Sequence, residues 1–526
     1  MTYLKQFGLN NFRAIGDQTD FDLSPITILT GPNNAGKSTL IRSVKLLIES
    51  IEQSQLLYLL KRGTDTNYQS YDCLLNDSLK GKLLHFNFSV NDSFKIQLTY
   101  QKFKSLGLLN KLIASNGENI IFEITIDSTE EHRFRTFIHD ISFFSPEMEE
   151  IINEQILSNE VINDYFQENK KNKSGFIKNC SKRIQNAIND FDIPFDFTNS
   201  TLTELIKYSK FMFEEFNSKE RSDDNDPENK FNELEQFCFD KIYIKLFNSI
   251  ENRLINFLNI FTASFNKNTF FVPVTRQEPK REYNRNDNTL LSDILFSYFD
   301  DGLHIKDKPF SKEKVVFRAK SSLSNSPYFV FADKVIKDIY GIGKRIIIKQ
   351  NAENGNLILN LVKEKSVENI ADLGFGLYQL ITILITIDYA IVRSNKNNSI
   401  IYSINEHDEG STTILIEEPE ISLHPNFQSL LADVFICAYK QYGVRFIIET
   451  HSEYLIQKLQ LLIAKKESNI VSEDVLIYYF RPKTKNQPPD KIKIAQDGRL
   501  TKDFGEGFID HSAKIIFELW KERGLN

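Results

Sequence analysis

The 526-residue chain is poor in cysteine. Its four cysteines, Cys73, Cys180, Cys238 and Cys437, are scattered and form no CxxC pair. Neither a disulfide framework nor a zinc site is expected from such spacing, and a reducing cytoplasm is the expected compartment. Basic excess is missing as well: Lys+Arg 64 against Asp+Glu 71 gives a net charge of −7. That balance does not mark a nucleic-acid binder as a whole, although a local basic groove is compatible with it. No apolar run reaches the ~20 residues of a membrane span. The longest, near Leu380–Val392, carries Asp388 and reads as a buried helix, so no membrane partner is expected. The opening Met1–Lys5 leads into a polar, amphipathic segment and does not read as a signal peptide. What the chain does have is 41% hydrophobic residues, enough to bury one or more sizeable cores.

The most telling residues are Gly31, Pro32, Asn33, Asn34, Ala35, Gly36, Lys37, Ser38 and Thr39. They follow an apolar run, Ile26–Leu29, and precede Ser38–Ser50, where Leu40, Ile41, Val44, Leu47 and Ile48 have helical spacing. Strand, glycine loop and helix are the context of a phosphate-binding loop. Gly31 and Gly36 permit the tight turns, and backbone N–H groups and the helix dipole face the phosphates. Lys37 is placed for the β- and γ-phosphates, and the Ser38 hydroxyl for Mg²⁺.

Far along the chain, Ile414–Ile416 is an apolar strand that ends in Glu417 and Glu418, with Pro419 breaking it. Glu417 is the candidate Mg²⁺ ligand, directly or through water, and Glu418 the candidate to polarise the attacking water. A second buried strand, Val444–Glu449, delivers His451. Alone, such a histidine is more often structural; the order of the motifs turns it toward the γ-phosphate or its water. The segment Asp372–Gln379, with Gly374 and Gly376, precedes a helix and reads either as an anion site or as a capped turn. The chemistry expected of these groups together is ATP binding and hydrolysis, with ATP and Mg²⁺ as cofactors.

Other segments set the organisation. Strand-like runs follow the loop at Leu83–Val90, Lys95–Tyr100, Asn119–Ile126 and Arg133–Ile138. From about 145 the pattern turns helical, with Phe239, Ile242, Leu246, Ile250, Leu254, Phe257, Leu258 and Phe261 at steps of three and four. Arg345–Lys349 and Leu357–Val362 read as a hairpin around Asn351–Asn356, and 394–411 as a polar loop. The chain therefore divides into 1–145, a head part with the phosphate loop; 146–268, a helical insertion; and 269–526, a second head part.

In this order the motifs resemble the ABC-type ATPase heads of the RecF, SMC and OLD-like group. The resemblance implies an α/β fold: an ABC-type P-loop ATPase head, with a mixed sheet lobe, a helical lobe and a long helical insertion. It implies that Arg13, in Asn11-Phe12-Arg13, supports the nucleotide. Gly374-Phe375-Gly376 resembles the signature segment that meets the γ-phosphate held by a second subunit, so a homodimer or higher oligomer joined through sandwiched ATP is implied. Glu418 takes the position of the catalytic glutamate, Ser422-Leu423-His424 that of the D-loop, His451 that of the switch histidine, and Gln69 that of the Q-loop, beside the metal.

The sequences Glu417–Glu420, Leu423–Pro425 and Glu449–Glu453 are similar to one branch, the ATPase subunits of anti-phage systems such as Septu and PARIS. That branch works with a separately encoded effector, a nuclease or toxin. OLD and Gabija-type relatives carry a Toprim nuclease after the histidine segment; the 75 residues after His451 leave little room for one and hold no Asp-x-Asp pair. The alternative expectation is a RecF-like repair ATPase that binds DNA through Lys280, Arg281 and Arg285, with Arg276 close by in sequence, although a solvated charged loop is the more common reading of such a cluster.

Overall fold

The computed structural model describes residues 3–54, 57–59, 70–79, 81–90, 94–127, 133–138, 193–194, 269–300 (without 275, 277 and 288), 329–401 (without 352), 412–504 (without 467–468 and 482–486), 515 and 518–522. The expected helical insertion, 146–268, lies outside them apart from the two-residue strand Ile193–Pro194. So does Gln69.

By contact the chain divides into two units, one made of 1–3, 22–42 and 267–526, the other of 4–21 and 43–266. The first is an α/β unit built on six strands. In sheet order these are β11 (Thr269–Val272), β15 (Thr413–Glu417), β16 (Arg445–Glu449), β3 (Ile26–Thr30), β17 (Val475–Tyr479) and β18 (Asp490–Lys493). The first five run parallel and β18 pairs antiparallel to β17. Near-continuous apolar runs such as Ile414–Ile416 and Phe446–Ile448 are what a parallel strand needs, because both of its faces are buried.

Helices α1 (Lys37–Ser54, of which 37–42 belong to this unit), α2 (Leu290–Asp300), α3 (Val330–Lys334), α4 (Phe375–Ile401), α5 (Pro425–Tyr442) and α6 (Glu453–Ala464) complete the frame. One apolar core joins Ile28, Ile416 and Ile448 of the sheet to Leu384 of α4, Phe435 of α5 and Leu459 of α6. Helix α4 is long and apolar enough to cross a membrane over Phe375–Arg393, yet 78% of that window is buried inside the protein. It is the core helix expected from the sequence. Its backbone continues to Ile401, into the stretch read as a polar loop from 394: the periodic apolar signal stops near Val392, but nothing before 401 breaks the helix. A small antiparallel sheet, β12 (Arg345–Gln350), β13 (Leu357–Val362) and β14 (Val367–Asn369), contains the hairpin at the expected place.

The second unit carries a nine-stranded sheet. Its main path runs β10 (Ile193–Pro194), β9 (Arg133–Ile138), β8 (Asn119–Asp127), β7 (Leu106–Asn116), β6 (Phe94–Phe103), β5 (Leu84–Val90), β1 (Leu4–Asn10) and β2 (Thr19–Asp22), with β4 (Tyr58–Leu59) on β7. Phe7, Phe12, Phe86 and Tyr100 pack ring on ring in its core, with centroids 5.9 to 6.3 Å apart.

Candidate functional site

In the first unit, the carboxyl ends of β3, β15 and β16 lie side by side because the three strands are parallel. The register pairs Glu417 with Glu449, and Glu449 with Leu29. Polar groups that leave these strands converge on one edge of the sheet, where ligands bind in open α/β folds.

The loop after β3 needs its glycines. Gly31 has φ +136°, and a Cβ there would meet the Phe480 carbonyl oxygen; Gly36 has φ +106°. Asn34 also takes the left-handed conformation, at φ 62°. Lys37 is buried, and its Nζ donates to the carbonyl oxygens of Gly31 at 3.0 Å and Pro32 at 2.9 Å. Burial pushes its pKa below the ordinary lysine value, against the pull of Glu449, Glu418 and Glu420. The ammonium therefore stands in its own loop, held by neutral acceptors that an anionic oxygen outcompetes.

The Ser38 hydroxyl donates to Glu449 Oε1 at 2.9 Å. Burial pushes the Glu449 carboxyl up to about 7; the Ser38 bond and Lys37 pull against that rise, and Glu417 adds to it. Glu417 Oε2 accepts from the Val274 N–H at 3.2 Å, and Arg42 Nε stands 3.9 Å from its Oε1. Glu417 Oε1 and Glu449 Oε2 are buried without a hydrogen-bond partner. Two unfinished carboxylate oxygens beside a serine hydroxyl are a hard-oxygen donor set. Mg²⁺ takes such sets, completing its shell with phosphate and water. Among the described residues no group of three or more His, Cys, Asp or Glu could hold a metal alone. The set is thus an open one that fits a nucleotide-borne cation.

Glu418 follows at φ 44°, with its N–H donating to the Glu449 carbonyl at 2.8 Å. Glu420 is buried; its Oε1 accepts from the His451 N–H at 2.6 Å, and burial raises its pKa. His451 is half-buried, and burial together with Lys37 lowers its pKa, so the imidazole is neutral at neutral pH. Ser452 caps α6 by accepting from the Leu455 N–H at 3.2 Å, and its hydroxyl donates to Gln428 Oε1 at 2.8 Å. Gln428 in turn donates to the Leu423 carbonyl at 3.0 Å, tying the 422–424 turn to the histidine segment.

Of the residues singled out from sequence, the first unit gathers Lys37, Ser38, Glu417, Glu418 and His451 at one sheet edge. Gly374 and Phe375 stand exposed at the start of α4, and Gly376 packs against the Ser422 carbonyl oxygen. Arg13 belongs to the second unit, at φ 47°, with its N–H on the Leu74 carbonyl at 2.8 Å.

Two further residues belong to the site. Glu449 repeats the pattern of Glu417, an apolar strand that ends in a carboxylate, and that repetition was the available signal. Arg276, close in sequence to the basic cluster at 280–285, stands apart from it: it is 6% exposed, donates through Nη2 to the Glu418 carbonyl at 2.6 Å, and binds Gln379 Oε1 through Nε. The cluster itself is dispersed into pairs, Lys280 with Asp287 at 2.8 Å and Arg281 with Asp372 at 2.6 Å, while Arg285 lies over the Phe296 ring.

The glycine loop on a parallel sheet, with carboxylates at the ends of neighbouring strands, defines a P-loop nucleotide-binding ATPase. The family model described as AAA ATPase domain matches residues 3–456, and the chain belongs to that family. Curated proteins give no match. Among solved structures the chain is similar to three Smc head domains. The one from Pyrococcus furiosus, with an extended coiled coil and bound to the C-terminal domain of ScpA, is 12% identical (TM-score 0.32), covering 99% of this chain and 100% of that one. The head from Thermotoga maritima is 9% identical (TM-score 0.30; 96% and 99% covered). The Pyrococcus yayanosii head, with a coiled coil and joint, is 11% identical (TM-score 0.36; 99% and 100% covered).

Proposed function

We propose that the chain is the ATP-hydrolysing sensor and scaffold subunit of a bacterial anti-phage system, acting in the cytoplasm on a separately encoded nuclease or toxin. The convergence of Lys37, Ser38, Glu417, Glu418, Glu449 and His451 on one sheet edge carries the ATPase part of this reading. The defence part rests on the Glu417–Glu420, Leu423–Pro425 and Glu449–Glu453 segments and their likeness to that branch.

Phosphates enter the 31–38 loop, where backbone N–H groups and the α1 dipole receive them. Lys37 leaves the Gly31 and Pro32 carbonyls for phosphate oxygens. Ser38, Glu417 and Glu449 are the residues that would hold Mg²⁺, which when bound would neutralise charge developing on the phosphates. Glu418 accepts the proton of the attacking water, and neutral His451 donates a hydrogen bond on the γ-phosphate side. Gly374 and Gly376 of one copy close over the nucleotide of a second copy, so that ATP sets an open or closed dimer that gates the effector. Residues 1–145 and 269–526 make the head, with 146–268 inserted between its two parts. The pairing of Lys280 and Arg281 with acids leaves less uncompensated positive charge in this loop for a DNA backbone.

The test is phage challenge of cells that express the chain with its flanking genes. Protection is expected, and Lys37→Ala and Glu418→Gln should abolish it. Undiminished protection with Lys37→Ala refutes an ATP-driven role. A lack of protection together with steeply salt-dependent DNA binding moves the chain to the repair reading.

A further inference from the structure

We infer that Arg276 is a positioning residue for hydrolysis: it clasps the first turns of α4 to the peptide of Glu418, so that the place of α4 sets the aim of the Glu418 carboxylate. This rests on the reading of Glu418 as the group that activates water.

The clasp has two halves. On the α4 side, Arg276 Nε donates to Gln379 Oε1, and Gln379 Nε2 donates back to the Arg276 carbonyl at 3.1 Å. Neither residue can shift without the other. On the Glu418 side, Arg276 Nη2 donates to the Glu418 carbonyl at 2.6 Å, while the Glu418 N–H donates to the Glu449 carbonyl at 2.8 Å. Both ends of residue 418 are thus fixed, one by the sheet and one by Arg276. Fixing is needed because Glu418 sits at φ 44°, a conformation that a non-glycine residue leaves unless its surroundings hold it.

The same stretch of α4 touches the following loop a second time. Gly376 lies so close to the Ser422 carbonyl oxygen that a Cβ there would overlap it. Movement of the segment that begins at the exposed Gly374 and Phe375 is therefore transmitted to 418–422 at two points.

Stability alone does not account for the arginine. It is 6% exposed, and its Nη1 is buried with no hydrogen-bond partner, an arrangement that costs free energy. Its neighbours Glu417, Glu418 and Glu420 supply the charge that keeps the guanidinium in place. Lysine at this position would keep the charge and lose the planar fork that spans Gln379 and Glu418 at once.

Steady-state ATPase assays on the full chain test this with Arg276→Lys, Gln379→Leu and Glu418→Gln, alone and combined. Arg276→Lys and Gln379→Leu should each lower kcat, by on the order of 10²-fold for a displaced catalytic group, with the KM for ATP unchanged. In the Glu418→Gln background neither should lower the residual turnover further, because they act through Glu418. A wild-type kcat in both single variants overturns the inference, as do losses that multiply in the double variants. Full turnover by Glu418→Gln itself overturns the reading of Glu418 and is seen separately. Gln379→Leu leaves the buried charges untouched, so it decides the matter if Arg276→Lys does not fold.

Discussion

Gly31→Ala is the substitution whose effect the backbone fixes most tightly. At φ +136° the position lies where a side chain strains the backbone by about 1–3 kcal/mol. The new Cβ would also come inside 3.0 Å of the Phe480 carbonyl oxygen. That oxygen cannot retreat, because the Phe480 N–H donates to Thr30 at 2.8 Å and holds the end of β17 against β3. Overpacking against fixed backbone adds about 1–3 kcal/mol. The sum, roughly 4 kcal/mol, corresponds to a fall in Tm of about 8–16 °C for a unit of this size. Gly355→Ala is the matched control. Its φ is +73°, but the nearest atom to its Cβ is Gln350 Nε2 at 3.8 Å. Only the conformational cost of about 1 kcal/mol remains there, a Tm loss of about 2–4 °C. Thermal melts of both variants, with ATP titrations alongside, provide the readout. A Tm loss for Gly31→Ala no larger than that for Gly355→Ala would refute the reasoning.

Lys37→Ala should weaken ATP binding by about 10- to 10²-fold, the worth of a charge-assisted contact, read by calorimetry. Ser452→Ala removes the α6 cap and the bond to Gln428, so a loss of about 1 kcal/mol or slightly more is expected in chemical denaturation. Asp388 is buried in α4 with Tyr298 Oη and the Ala332 N–H as its donors, and burial, with Asp333 adding, pushes its carboxyl from 3.8 up to about 7. The folded state therefore binds this proton more tightly than the unfolded one. Its contribution is fully present below about pH 4 and is lost as pH rises through 7, and Asp388→Asn should flatten that slope in denaturation curves taken from pH 4 to 8.

Much of the fold was legible because its signals are local. The loop 31–38 declares itself through glycines between an apolar strand and a periodic helix. The 345–362 hairpin does so through its Asn-Gly turn, and α4 through an unbroken apolar run. The placement of Glu417, Glu418 and His451 at or just after strand ends follows from the apolar runs that precede them. What escaped depends on partners far away in sequence. The Arg276–Gln379 clasp spans 103 positions and the Ser38–Glu449 bond 411, and no periodicity encodes either. The partners of the basic cluster at 280–285 escape the sequence for the same reason: Asp372, the partner of Arg281, lies 91 residues on.

The central claim is that this sheet edge hydrolyses ATP through Glu418. Phosphate release by the purified chain, beside ATP affinity, tests it in wild type and Glu418→Gln. The account predicts turnover in the wild type, a drop of about 10²-fold or more in the variant, and ATP affinity retained or tightened. Equal turnover in the two proteins would contradict it.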